Sequence, residues 1–176
     1  TWRLHTYPGL ACDVWAHSYS FTYAPNPDWS ANFVTQPEIL AYLERCTAEF
    51  GLEPHLILGT RIVAAHLQQD HTWQLHTDGG AVLAFDVVIN AMGNQHTPLF
   101  PDVPGRESFG GASFHGTRWD HDVALEGKRV AVVGNGASAM QVVPAIAERT
   151  EHLTVYARSP QWAAPFPQFG REIPEG

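Results

Sequence analysis

Apolar residues recur along this chain at spacings that change from segment to segment, and each change marks a predicted element. After Thr35, the residues Ile39, Leu40, Leu43, Cys46 and Phe50 fall on one stripe of a helix. Thr35 is placed to cap it, Pro37 and Glu38 occupy its first turn, and Gly51 closes it. From His55 onward the runs shorten. HLILG, RIVAAHL, TWQLHT and AVLAF read as strands around an Asp78-Gly79-Gly80 hairpin turn. DVVINAMG reads as a buried strand ending at Gly93. Residues 129–133 read as a strand, 136 to about 149 as an apolar helix, and 153–157 as a second strand, which together make a βαβ unit. Residues 1–34 are rich in aromatics, Pro and Asn and have little periodicity, so they read as a long ordered loop with short helical turns.

The pattern gives an α/β chain with a small β-meander followed by a βαβ unit. HTPLFPDVPG, with three prolines, reads as a linker. Hydrophobic residues make up 44% of the chain and charged ones 16%, which supports a buried core and argues against disorder. The formal net charge is −8 with no basic run, which argues against a nucleic-acid or anionic-membrane surface. No apolar run approaches the roughly 20 residues of a membrane span. Cys12 and Cys46 share no metal spacing and read as reduced, intracellular thiols. The chain begins TWRLHTYPG, without Met, and so reads as the middle of a longer protein.

The strand at 129–133 runs into Gly134-Asn135-Gly136-Ala137-Ser138-Ala139, a G-x-G-x-x-A spacing at the head of a helix that also carries Gln141. Gly134 permits the tight turn, Gly136 lets backbone N–H groups approach a pyrophosphate, and Ala139 allows close helix–strand packing. The helix N-terminus adds partial positive charge. A tight turn that holds no ligand is the alternative. The next strand ends at Arg158 and Ser159, where an NAD or FAD site would carry Asp or Glu. A guanidinium fork matches phosphate oxygens, which favours NADP over NAD; a solvated surface arginine is the other reading.

Two more patterns flank that turn. Trp2, Tyr7, Pro8, Gly9 and Asp13 form W-x-x-x-x-[FY]-P-G-x-x-x-D, and Phe109, Gly111, His115 and Trp119 form F-x-G-x-x-x-H-x-x-x-W, followed by Asp120. In this order around a G-x-G-x-x-A turn, they resemble the Baeyer–Villiger branch of the class B flavoprotein monooxygenases, close relatives of the flavin-containing N- and S-monooxygenases. The resemblance covers essentially the whole chain. It implies a partial two-dinucleotide-binding-domain (Rossmann-like) flavoprotein. Residues 1–97 would be the remainder of an FAD-binding domain, 98–105 a linker and 106–176 the first part of an NADPH-binding domain.

The same resemblance implies FAD and NADP as cofactors. NADPH would reduce FAD, O2 would form a C4a-peroxyflavin, and a ketone would become an ester or lactone; oxidation of an amine or sulfide is the alternative chemistry. It places Asp13 near the flavin–nicotinamide junction and Trp2, Tyr19 and Ile62 on the FAD side. Gly134 to Ala139 and Gln141 would hold the pyrophosphate, and Arg158 and Ser159 the 2′-phosphate. Phe109, Gly111, His115, Trp119 and Asp120 would form a hinge between domains, and Asn94 and Gln95 would border the substrate cavity. Taken alone, His115 could be a satisfied core histidine, Trp119 a packing residue and Asp13 a loop carboxylate. Asp120, His121 and Asp122 do not suggest a metal, because adjacent side chains on an extended segment face opposite ways. Ala11 stands where many members of the branch carry Arg, which bears on substrate type. The first G-x-G-x-x-G turn that holds FAD in the family does not occur in this sequence. The chain is therefore expected to be an incomplete, inactive piece of a cytoplasmic enzyme, or a nucleotide-binding remnant, or one half of a complementing pair. Its proline-rich tail after Arg158 is expected to run toward the substrate cavity.

Overall fold

The computed structural model describes residues 1–163 and residue 172; the rest of the proline-rich tail lies outside the described residues. In chain order the elements are helix α1 (Gln36–Glu49), strands β1 (Ile62–Leu67), β2 (Trp73–Thr77), β3 (Val82–Phe85) and β4 (Arg129–Val133), helix α2 (Ala137–Ala147) and strand β5 (His152–Tyr156). Short 3-10 turns cover Ala16–Tyr19, Glu53–His55, Arg106–Ser108 and Gly116–Arg118. The mixed α/β class, with its meander and its βαβ unit, is the one the hydrophobic pattern predicts. The chain divides into two units: residues 1–46 with 95–176, and residues 47–94.

The first unit has two apolar clusters. One buries Cys12, Ala16, Trp29, Phe33, Val34, Ile39, Tyr42 and Cys46, so the long N-terminal loop covers the face of α1 that carries Ile39, Tyr42 and Cys46; Phe50, expected on that stripe, lies past the end of the helix and is 48% exposed. That loop is ordered by backbone pairing, not by regular structure. Cys12 N donates to Val34 O (3.0 Å) and Gln36 N to Leu10 O (2.9 Å), which fastens residues 10–12 to the start of α1. The other cluster buries Tyr7, Leu10, Leu125, Val142 and Ile146, with Val130, Val132 and Leu153 packed against it. Each such buried aliphatic side chain contributes about 1.5–3 kcal/mol. α2 thus covers one face of the parallel pair β4–β5, whose register sets Val130 beside Leu153 and Val133 beside Tyr156. On the other face Val133 is 71% and Tyr156 58% exposed.

The second unit is an antiparallel meander in the order β1-β2-β3. Its β2–β3 connection is the expected hairpin, closed by Gly80 N donating to Thr77 O (3.0 Å) and Ala81 N to Thr77 Oγ1 (3.0 Å). Two expected strands do not form. HLILG is a 3-10 turn and irregular chain, and residues 87–94 are irregular, with Val87, Ile89 and Met92 mostly exposed. An apolar run becomes a strand only when a neighbour completes its hydrogen-bond ladder, and among the described residues none pairs with either segment.

Candidate functional site

The turn between β4 and α2 is built to leave its amides bare. Gly134 sits at φ +110°, a conformation that L side chains rarely adopt, and its N–H donates to Tyr156 O at 2.8 Å, tying the turn to the end of β5. Gly136 precedes the helix with extended backbone and gives no side-chain cap. The helix ladder starts with Met140 N donating to Gly136 O (3.0 Å), so the amides before it have no helical acceptor. A Cβ at Gly134 or Gly136 would meet nothing within 4 Å, so open space lies beside both glycines. No acidic residue lies in the first turn of α2. Bare amides, a helix dipole and free space together suit an anionic diphosphate. Arg158 and Ser159 follow β5 at this same end of the parallel pair, both exposed. Asn135 joins the two parts, its Nδ2 donating to Ser159 O at 2.7 Å.

The N-terminal pattern is divided between the two apolar clusters: Trp2 packs against both, and Tyr7 is buried in the second. Trp2 Nε1 donates to Tyr19 Oη (3.0 Å), and the rings meet edge to face with centroids 5.4 Å apart. Gln36 donates from its side chain to the Trp2 carbonyl. Burial pushes the Tyr19 phenol up; the Cys12 thiol and the carboxylate of Asp13 push the same way, against the Trp2 hydrogen bond. Asp13 itself is exposed. Burial likewise pushes the Cys12 thiol up, and Cys12 and Cys46 are free thiols within one core. Gln141, in the second turn of α2, faces this segment. Its Oε1 accepts from Tyr7 Oη (3.2 Å), and its Nε2 donates to Ala11 O (2.9 Å).

In the second pattern, Phe109 is 65% exposed and lies against Gly111. His115 caps the following 3-10 turn: its Nδ1 accepts from Thr117 N at 3.2 Å, and its ring meets Phe100 edge to face. Arg118 donates to His96 O (2.7 Å). Trp119 packs edge to face on Phe114 and against the second apolar cluster, while Asp120 Oδ1 accepts from Asp122 N (3.0 Å). The Gln95 carbonyl pairs with Nε2 of the buried His5 at 3.1 Å. Ile62, at the start of β1, and Asn94 belong to the second unit. Among the described residues no group of three or more His, Cys, Asp or Glu is placed to hold a metal, and no helix is long and apolar enough to cross a membrane.

Two connections escaped the sequence reading: the bridge from Asn135 to Ser159 and the contacts of Gln141 with Tyr7 and Ala11. A signal for the second was present, since Gln141 is a polar residue inside the otherwise apolar run AMQVV.

The pattern that defines the flavin-binding monooxygenase-like proteins matches residues 5–165. A Baeyer–Villiger monooxygenase of Streptomyces coelicolor is 45% identical over 166 residues, which is 94% of this chain and 32% of that protein. The crystal structure of cyclohexanone monooxygenase from Rhodococcus sp. Phi1 bound to NADP+ superposes with a TM-score of 0.87 at 37% identity, over 99% of this chain and 34% of that one. OTEMO in complex with FAD and NADP superposes at 0.84 with 33% identity, over 93% of this chain and 33% of that one. The chain therefore spans about a third of the length of the relatives it matches.

Proposed function

The chain belongs to the flavin-binding monooxygenase-like family, and on that premise we propose that it supplies the nucleotide-holding part of an NADPH- and FAD-dependent Baeyer–Villiger monooxygenase. The observation that carries this reading is the open glycine turn at the head of α2, joined through Asn135 to the chain that bears Arg158 and Ser159. The turn that opens at Gly134 would cradle the pyrophosphate with the amides of Asn135 to Ala139, the Gly134 amide being spent on Tyr156 O. Arg158 would present its donor fork to the ribose 2′-phosphate, with Ser159 beside it. That fork selects NADPH, because NADH offers only a hydroxyl there.

Trp2 and Tyr19, joined by a hydrogen bond, would form a wall on the flavin side, and Asp13 would face the nicotinamide. Ile62 would offer backbone to the FAD adenine, and Asn94 and Gln95 would border the substrate. His115 and Trp119, both locked into local structure, would serve as the hinge with Phe109, Gly111 and Asp120. When bound, FAD would supply the redox chemistry, accepting hydride from NADPH and activating O2 for insertion of one oxygen atom into a ketone. The chain's own residues bind, orient and exclude water. By itself the chain would hold nucleotide without turnover. Two free thiols buried in one core favour the cytoplasm.

Calorimetric titration of the chain with NADP+ and NAD+, an absorbance scan for bound flavin, and a panel of ketones, amines and sulfides with the flavin-loaded full-length protein test the reading. NADP+ should bind at least tenfold more tightly than NAD+, and ketones should be the oxygenated class. Absence of binding by either nucleotide to the full-length protein overturns it.

A further inference from the structure

Gln141 stands where a helix that opens on a phosphate cradle begins its second turn, yet both ends of its side-chain amide are taken by the protein. Its oxygen accepts from Tyr7 Oη at 3.2 Å, and its nitrogen donates to the Ala11 carbonyl at 2.9 Å. Both partners lie in the N-terminal loop, more than a hundred residues away in sequence. The same loop closes on α2 at a second point. Gly9 sits at φ +80°, and a Cβ there would stand 2.5 Å from the Gln141 carbonyl oxygen and 3.1 Å from Ala145 Cβ. The backbone of the loop therefore touches the backbone of the helix, and only glycine permits it. Beyond Ala11 the loop is not free to yield. Ala11 bridges to Thr35, and Leu10 and Cys12 are paired with Gln36 and Val34 at the start of α1. Asp13 follows directly.

We propose that Gln141 is a positioning residue that straps the dinucleotide cradle to the loop carrying Asp13, fixing the nucleotide relative to the flavin-side wall. This rests on the functional reading above. A single amide clamped from both sides, next to a contact with no side chain between the two backbones, fixes spacing and angle together. Transfer of hydride between two bound cofactors is sensitive to such placement, since an error of about 1 Å can cost on the order of 100-fold in rate. Affinity for the nucleotide depends on different atoms, the bare amides ahead of Met140 and the Arg158 guanidinium.

The test uses the flavin-loaded full-length protein and stopped-flow reduction of the flavin by NADPH. Gln141→Met keeps the length of the side chain and removes both hydrogen bonds; Tyr7→Phe removes one. For Gln141→Met the limiting reduction rate should fall at least tenfold, with the Kd for NADPH within twofold of the parent. Tyr7→Phe should give a smaller fall, and the double variant should be no slower than Gln141→Met alone. Should Gln141→Met fail to fold, Tyr7→Phe carries the same test. A raised Kd with an unchanged limiting rate makes Gln141 a nucleotide ligand and overturns the inference alone. Unchanged rate and Kd in both single variants also overturn it alone. A parent protein that binds no NADPH overturns the functional reading, and the strap with it.

Discussion

The side chain of Asn135 donates from Nδ2 to the carbonyl oxygen of Ser159 at 2.7 Å, making the glycine turn and the end of β5 one hydrogen-bonded unit. The turn is already fastened to β5 through Gly134 N and Tyr156 O. The Asn135 bond extends that fastening past the strand, to the residues read as facing the 2′-phosphate. Asn135→Ala should leave the cradle amides in place and loosen Arg158 and Ser159. A net hydrogen bond of about 1 kcal/mol corresponds to about fivefold in affinity. The ratio of NADP+ to NAD+ affinity should fall by about that factor, with NAD+ binding little changed. Paired calorimetric titrations measure it, and an unaltered ratio would show that the bond has no part in coenzyme choice.

Arg158 is a sharper probe of the same selection. Its guanidinium is exposed, so its contribution to an anion is charge-assisted but partly screened. Arg158→Ala should weaken NADP+ binding by about 10- to 100-fold at low ionic strength, the range for a hydrogen bond to a charged group. NAD+ affinity should stay within twofold. The difference between parent and variant should shrink as salt rises, because the exposed contact is screened. Equal losses for both nucleotides would place Arg158 at a feature they share.

The elements read correctly from sequence are those whose signals are local. Thr35, Pro37 and Glu38 mark the start of α1, and Ile39 and Cys46 of the expected stripe lie on its buried face, which Tyr42 shares and Phe50 does not; Asp78-Gly79-Gly80 marks the hairpin; Gly134 and Gly136 separate β4 from α2. The two failed strands carried no such mark of pairing. HLILG and DVVINAMG are apolar enough for strands, but a strand also needs a neighbour, and composition does not say where one lies. The site divides the same way. The glycine turn ahead of α2 and the place of Arg158 just past β5 are sequence-local, so their spacing was legible. The contact of Gln141 with Tyr7 and Ala11 joins residues more than a hundred positions apart and depends on how the N-terminal loop and a helix pack. The capping role of His115 is local, but its Nδ1 reaches only the Thr117 amide and hydroxyl, a detail that a histidine in a long-range pattern does not announce.

His5 should make stability depend on pH. It is 2% exposed, and burial lowers its pKa below the ordinary 6.5; Arg118 and His115 add to that, while the bond to the Gln95 carbonyl opposes it. The folded state therefore prefers the neutral ring. Between the lowered folded value and 6.5 the unfolded chain binds more protons, so stability rises with pH in that window. The contribution is fully present above about pH 6.5 and is lost as pH falls through the folded value. Urea unfolding of the parent and of His5→Gln between pH 5 and 8 isolates it. The parent should lose more stability than the variant on acidification, by up to about 1.4 kcal/mol per pH unit within the window. Parallel curves would mean that His5 titrates alike in both states.

Tyr42 holds the other end of the N-terminal loop. Its hydroxyl accepts from Phe21 N at 2.7 Å and donates to Ala24 O at 2.8 Å, closing a turn whose own bond runs from Ala24 N to Phe21 O at 3.0 Å. The ring is 2% exposed, and burial raises its pKa, so the hydroxyl stays protonated and can both accept and donate. Tyr42→Phe preserves the ring packing against Trp29 and Phe21 and removes only the oxygen. The Phe21 amide then loses its acceptor and the Ala24 carbonyl one donor, a cost of about 1–3 kcal/mol. In a chain of this size each kcal/mol lowers Tm by about 2–4 °C. Because the turn begins two residues after Tyr19, the same variant should also loosen the Trp2–Tyr19 pair and shift the tryptophan emission of the folded protein. Thermal and urea unfolding give the first effect and fluorescence the second. A loss of stability with unchanged emission would confine the role of Tyr42 to the turn, leaving Trp2 held by Tyr19 and Gln36.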